Sequence, residues 1–171
     1  MRLNGNTIFP ITIGAIVAIT AIGRIFAADP SCAKYSEFWE HVYNPTRLTI
    51  QSKCVTVTGV IADATAGKRK DGVRHEADGD THGWIRLDAG QSKYLNAGNK
   101  SHEGGNLVFE AVCSFPVSQS DASGACKAWK SPLTLPPVGS HVRITGTWVM
   151  DDNHAKWFEI HPVFAIAETS K

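Results

Sequence analysis

The chain has 171 residues, 43% of them hydrophobic, and 17 basic against 16 acidic side chains for a formal charge of +1. That length suits one domain with a real core. The near-neutral balance excludes DNA wrapping and a polybasic membrane anchor as electrostatic functions, and there is no strong nucleic-acid charge signature.

Residues 1–28 read as a targeting segment rather than fold. Arg2 gives a positive start, Ile8 to Gly23 is an apolar run, and Ala27-Ala28 offer small residues for cleavage. The run falls short of the roughly 20 apolar residues that a membrane span needs, and Arg24 interrupts it. A cleaved signal peptide is therefore expected; left uncleaved, residues 8–28 would be the membrane contact. Either way the domain is expected outside the cytoplasm: periplasmic, secreted or N-terminally anchored. The four cysteines fit that compartment, and none has a short CxxC spacing. Of three possible pairings, Cys113–Cys126 closes a local loop and Cys32–Cys54 ties an N-terminal helix to the first strand.

Residues 29–46 are expected as that helix. Asp29-Pro30 starts it, as N-cap and first-turn proline. Cys32, Tyr35, Phe38, Trp39 and Val42 follow at helical spacing, and Asn44-Pro45 ends it. Residues 47–171 form the main domain. The first strand lies within Leu48 to Asp63, is rich in β-branched residues, and carries Gly59 as a bend or bulge. Ala64 to Thr81 is a polar loop with Lys68-Arg69-Lys70 at its tip. His82 to Asp88 is the second strand, with His82, Trp84 and Arg86 on one face and Ile85 and Leu87 on the other. Asn106 to Cys113 is the third, where Glu110 stands in an otherwise apolar run. A short helix is expected near Ser118 to Trp129. His141 to Met150 is the fourth strand, with Gly146 inside it.

The fifth strand spans Ala155 to Ala167. Phe158, Ile160 and Phe164 are expected on the core face, with Trp157, Glu159, His161 and Val163 opposite. Asp151 and His154 lie on the turn before it. Five strands, glycines within the first and fourth, and a helix between the third and fourth predict a mainly β fold. The leading form is a five-stranded, OB-fold-like Greek-key barrel; a β-sandwich from the same segments is the runner-up.

Several stretches resemble a group of exported prokaryotic proteins of unknown function. They are Cys54-Val55-Thr56-Val57-Thr58-Gly59, Gly79-Asp80-Thr81-His82, Arg86-Leu87-Asp88, Glu110-Ala111-Val112-Cys113, Gln119-Ser120-Asp121-Ala122, His141-Val142-Arg143-Ile144-Thr145-Gly146, and the closing Asp151-Asp152-Asn153-His154 with Glu159-Ile160-His161-Pro162-Val163. The likeness covers roughly residues 47–167. It implies an exported domain and no particular activity.

An OB strand order sets the third strand between the second and the fifth. His82, Glu110, Glu159 and His161 then share a face, with Asp151 and His154 at its end. Imidazole and carboxylate ligands suit a divalent metal, zinc or manganese, with His82, His154, His161 and Asp151 as the expected ligands. Such an ion could activate water. Glu110 or Glu159 would be ligand or general base, and Arg86 would clamp an anionic substrate. That predicts metal-dependent hydrolysis of a phosphodiester or similar ester. The same residues also suit a purely structural polar network. The alternative function is a non-catalytic module for an oligonucleotide or saccharide, with Trp84 and Trp157 as stacking platforms. The partner in either case is a small or polymeric extracellular ligand.

Overall fold

A computed structural model describes Met1 and residues 29–64 and 73–170. The targeting segment and the Lys68-Arg69-Lys70 loop tip lie outside the described residues. Six strands form one sheet: β1 (Leu48–Ala62), β2 (Arg74–His75), β3 (Thr81–Leu87), β4 (Leu107–Ala111), β5 (His141–Asp151) and β6 (Phe158–Glu168). The sheet runs β1-β5-β6-β4-β3, and β3 pairs back onto β1 to close a barrel. β2 is an extra strand on the edge of β3. All pairings are antiparallel except β4 with β6. This is the strand order and mixed pairing expected of an OB-like barrel.

Closure depends on Gly59. It pairs with Leu87 of β3 on one side and with Val142 of β5 on the other. A Cβ at this position would sit 2.2 Å from the carbonyl oxygen of Arg86. Only glycine lets β1 approach both neighbours where it bends between them.

The barrel interior holds Val57, Ile61, Ile85, Leu107, Phe109, Val142, Ile144, Ile160 and Val163, all fully buried. Burying each such side chain contributes about 1.5–3 kcal/mol. A second apolar cluster lies outside the barrel: Phe38, Val42, Leu48, Val112, Val149 and Phe164. Phe38 comes from a short helical segment, a 3-10 turn (Pro30–Lys34) running into α1 (Tyr35–Trp39). The Asp29 side chain caps that turn by accepting from the Ser31 backbone N–H. Disulfides join Cys32 to Cys54 and Cys113 to Cys126, in the expected pairing. Two disulfides point to an oxidising, extracytoplasmic environment. Among the described residues, no helix is long and apolar enough to cross a membrane.

Two details differ from the sequence expectation. Phe164 was expected beside Ile160, and Val163 beside Glu159. Instead Val163 faces the barrel interior and Phe164 packs outside, against Phe38 at a ring separation of 5.7 Å. The reason is a bulge. The β5 partner steps from Trp148 opposite Ile160 to Gly146 opposite Val163, so Thr147 faces both His161 and Pro162. One extra residue reverses the side-chain parity beyond it, and a second shift, with Thr145 opposite Ala165, restores the parity so that Ile166 again packs on the interior. The helix expected near Ser118 to Trp129 is a single 3-10 turn, Ser120–Ala122, whereas a six-residue helix α2 (Ala97–His102) lies between β3 and β4.

Candidate metal centre

Alternation on three adjacent strands builds a polar cluster on the outer side of the barrel. On β3, Ile85 points inward, so His82 and Trp84 point outward. On β4, Leu107 and Phe109 point inward and Glu110 points outward. On β6, Ile160 points inward and Glu159 and His161 point outward. The register sets His82 opposite Glu110 and Val108 beside Glu159. Loops and α2 cover this face, so His82, Glu110, Glu159 and His161 are all buried.

Glu110 is the hub. Its Oε1 lies 3.0 Å from His82 Nδ1. Its Oε2 lies 2.8 Å from His161 Nδ1. The His161 Nδ1–H is aligned with Glu159 Oε1 instead, at 3.0 Å. Arg47, at the end of a 3-10 turn before β1, pairs with Asp151. Its guanidinium also stands 3.9 Å from Glu110 Oε2 and 3.9 Å from Glu159 Oε1. Asp80, just before β3, accepts the Cys113 backbone N–H through Oδ1 at 2.9 Å and holds Oδ2 3.6 Å from His161 Nε2.

The rim is built from the turn after β5. Asp151 Oδ1 accepts the backbone N–H groups of Asn153 and His154, and Asp151 Oδ2 lies 2.8 Å from His154 Nδ1. The His154 ring stacks on Trp157 with centroids 5.3 Å apart. Trp157 Nε1 donates to Glu159 Oε2 at 2.8 Å, and Trp84 Nε1 donates to Glu103 Oε2 at 2.6 Å. Both indoles are therefore half-buried donors to buried carboxylates, and His154 covers one face of Trp157. Trp157→Phe keeps the stack and removes the donor. It should cost about 1–3 kcal/mol, the desolvation penalty of a buried acceptor left unpaired. Urea denaturation checks this; no change would mean that water replaces the indole.

The structure thus brings together His82, Glu110, Glu159 and His161. Asp151 joins them through Arg47, and His154 only through Asp151 at the exposed rim. Arg86 does not join. It lies opposite Val60, four residues along β3 from His82, and is exposed. Parity put it on the right face at the wrong end of the strand. The guanidinium inside the cluster belongs to Arg47. Sequence reasoning also passed over Asp80, Glu76 and Glu103. The period-two series Asp78, Asp80, His82 was the available signal for Asp80.

Burial shapes the protonation of the cluster. For His82, burial disfavours the charged ring, but the carboxylates of Glu103 and Glu110 outweigh it and push the pKa up to about 9. His161 shows the same balance: burial opposes charge, and the carboxylates of Glu110 and Glu159 raise it to about 10. Burial raises Asp80 well above the usual carboxylate range, despite His161 nearby. Glu110 is held well below its ordinary value, because the two imidazoles outweigh its own desolvation.

Among the described residues, four buried atoms in this cluster have no hydrogen-bond partner: Asp80 Oδ2, His82 Nε2, Glu110 Oε2 and His161 Nε2. Ion pairs serve them in place of aligned hydrogen bonds: Asp80 Oδ2 with His161 Nε2 at 3.6 Å, Glu110 Oε2 with His161 Nδ1 at 2.8 Å, and His82 Nε2 with Glu103 Oε2 at 3.8 Å, so each keeps coordinating capacity for a cation. Two groups present ligand atoms within 4.8 Å of one another: Asp80, Glu110 and His161, and Glu76, His82 and Glu110. Either could hold a metal ion. A third, Asp80 with Cys113 and Cys126, has both sulfurs committed to a disulfide. No protein-family model matches the chain, and no curated protein sequence matches it. The fold is an OB-like barrel whose outer face carries buried His/Glu/Asp groups able to hold a metal.

Proposed function

We propose that this is an exported, divalent-metal-binding barrel domain, with zinc or manganese held by Asp80, Glu110 and His161. One observation carries the reading. Asp80, Glu110 and His161 are all buried, each carries a polar atom with no aligned hydrogen bond, and each offers a ligand atom within 4.8 Å of the others'. One nitrogen and two oxygens form a donor set suited to zinc or manganese. Charge supports it as well. Five buried carboxyl groups, Asp80, Glu103, Glu110, Asp151 and Glu159, face the Arg47 guanidinium and the imidazoles of His82 and His161, with His154 reaching Asp151 from the rim. Export accords with the two disulfides.

Metal-dependent hydrolysis of a phosphodiester or similar ester is the catalytic extension of this reading. A divalent ion supplies Lewis acidity and lowers the pKa of its water. The observation favouring access is Glu76, whose side chain is 28% exposed and which borders a cavity of about 460 Å³. The Asp80–Glu110–His161 group itself is closed to solvent, so a substrate would have to approach from the Glu76 side.

Asp80→Asn tests the metal reading. Asparagine keeps the Oδ1 acceptor for the Cys113 N–H and removes the carboxylate charge. Elemental analysis of purified wild-type protein should find at least one equivalent of zinc or manganese, and Asp80→Asn should carry one fewer with an unchanged circular dichroism spectrum. Wild-type protein that stays metal-free after dialysis against either ion would end the proposal.

A further inference from the structure

We infer that Glu110 bridges two cation sites, and that the second, formed by Glu76, His82 and Glu110, opens onto the cavity beside Phe115. This deepens the metal-binding reading above and rests on it.

The two oxygens of Glu110 face different imidazoles. Oε1 lies 3.0 Å from His82 Nδ1, and Oε2 lies 2.8 Å from His161 Nδ1. On each side a second carboxylate completes a set of one imidazole and two acids: Asp80 with His161, and Glu76 with His82. Glu76 is fixed there by local structure. β2 pairs Arg74 with His82 and His75 with Thr81. The chain then turns back at once, with the Glu76 N–H donating to the Asp80 carbonyl and the Gly79 N–H donating to the Glu76 carbonyl. Glu76 Oε1 thereby stands 3.9 Å from His82 Nδ1. Paired metal centres lie about 3.5–4 Å apart, a spacing that one bridging carboxylate spans.

The two sites differ in access. Asp80 and His161 are almost wholly buried, whereas the Glu76 side chain is 28% exposed. His75, Glu76, Phe115 and Ser118 line the cavity of about 460 Å³ at this end. A cation on Glu76, His82 and Glu110 would have open positions toward that cavity, for water or for an oxygen ligand such as a phosphate or carboxylate group. Arg74 now donates twice to Glu76 Oε1, at 2.9 and 2.6 Å. Its own side chain is 46% exposed, and an exposed pair of this kind is lost at little cost.

The test is metal stoichiometry on the full chain as purified. The protein is stripped with EDTA, dialysed against manganese, and read by elemental analysis and electron paramagnetic resonance. Wild type should bind two equivalents with a spin-coupled manganese signal. Glu76→Gln should bind one, lose the coupling and keep its circular dichroism spectrum. Wild type and Glu76→Gln binding the same number of ions would overturn the bridged pair and leave the buried site standing. No manganese in the wild type, with none when zinc is substituted, would remove the underlying metal reading instead.

Discussion

Glu110→Ala should destabilise the metal-free protein by about 3–5 kcal/mol, the range for breaking a buried charge pair from one side. Glu110 touches both imidazoles of the cluster and stands within 3.9 Å of Arg47. Its removal leaves His82 and His161 facing each other's positive charge with one shared acceptor gone. It also opens a hole between β3 and β6 that the rigid barrel cannot collapse into. In a domain of this size such a loss lowers the melting temperature on the order of 10 °C. Glu110→Gln is the control. It keeps the volume and one acceptor oxygen, and should fall between wild type and alanine. Urea denaturation in EDTA measures all three. A loss below about 1 kcal/mol for alanine would match an exposed pair rather than a buried one, and Glu110 would not be the hub.

The residues of this cluster were legible in the sequence to the extent that strand alternation places them. His82, Glu110, Glu159 and His161 each interrupt a hydrophobic strand on its outward face, and the barrel order makes those strands neighbours. Period two says which face a residue takes and nothing about its height along the strand. That is why Arg86 shared parity with His82 yet stands clear of the cluster. A bulge defeats the same logic from within, as at His161-Pro162, where Val163 and Phe164 exchange faces. Residues outside the strands were harder. Asp80 sits in the tight turn before β3, and its partner His161 is 81 residues further along the chain. Arg47 meets Asp151 across a sequence separation of 104. No local pattern announces either, because each contact is made by barrel closure rather than by the segment's own periodicity. The capacity to hold a metal lies further still from the sequence. It depends on which oxygen of Glu110 faces which imidazole, a matter of tenths of an ångström.

Raising the pH should unfold the metal-free protein far more readily than the metal-loaded one. The imidazoles of His82 and His161 have folded pKa values of about 9 and about 10, against an ordinary 6.5. A raised imidazole pKa means the folded state holds its proton more tightly than the unfolded chain does. The resulting stabilisation is complete below pH about 6.5 and is lost as pH rises through about 9 to 10. Asp80 acts in the same direction over a lower range. Its carboxyl is raised by burial, so the folded state keeps that proton too, and stability is lost as pH climbs past the ordinary carboxylate range. Glu110 works oppositely. Held well below its ordinary value, it stabilises above that value and is lost as pH falls through its depressed pKa. Stability without metal should therefore peak in mildly acidic solution and drop by a few kcal/mol between pH 6.5 and 10. A divalent ion on Asp80, Glu110 and His161 replaces the protons that these groups otherwise share. The loaded protein then loses less over the same range, because only the His82 contribution still titrates there. Guanidinium titrations at pH 6.5 and pH 10, with EDTA and with excess zinc or manganese, separate the two curves. A metal-free protein equally stable at both pH values would mean that the imidazoles are neutral throughout, and the cluster would then be a neutral hydrogen-bond network rather than a charged one awaiting a cation.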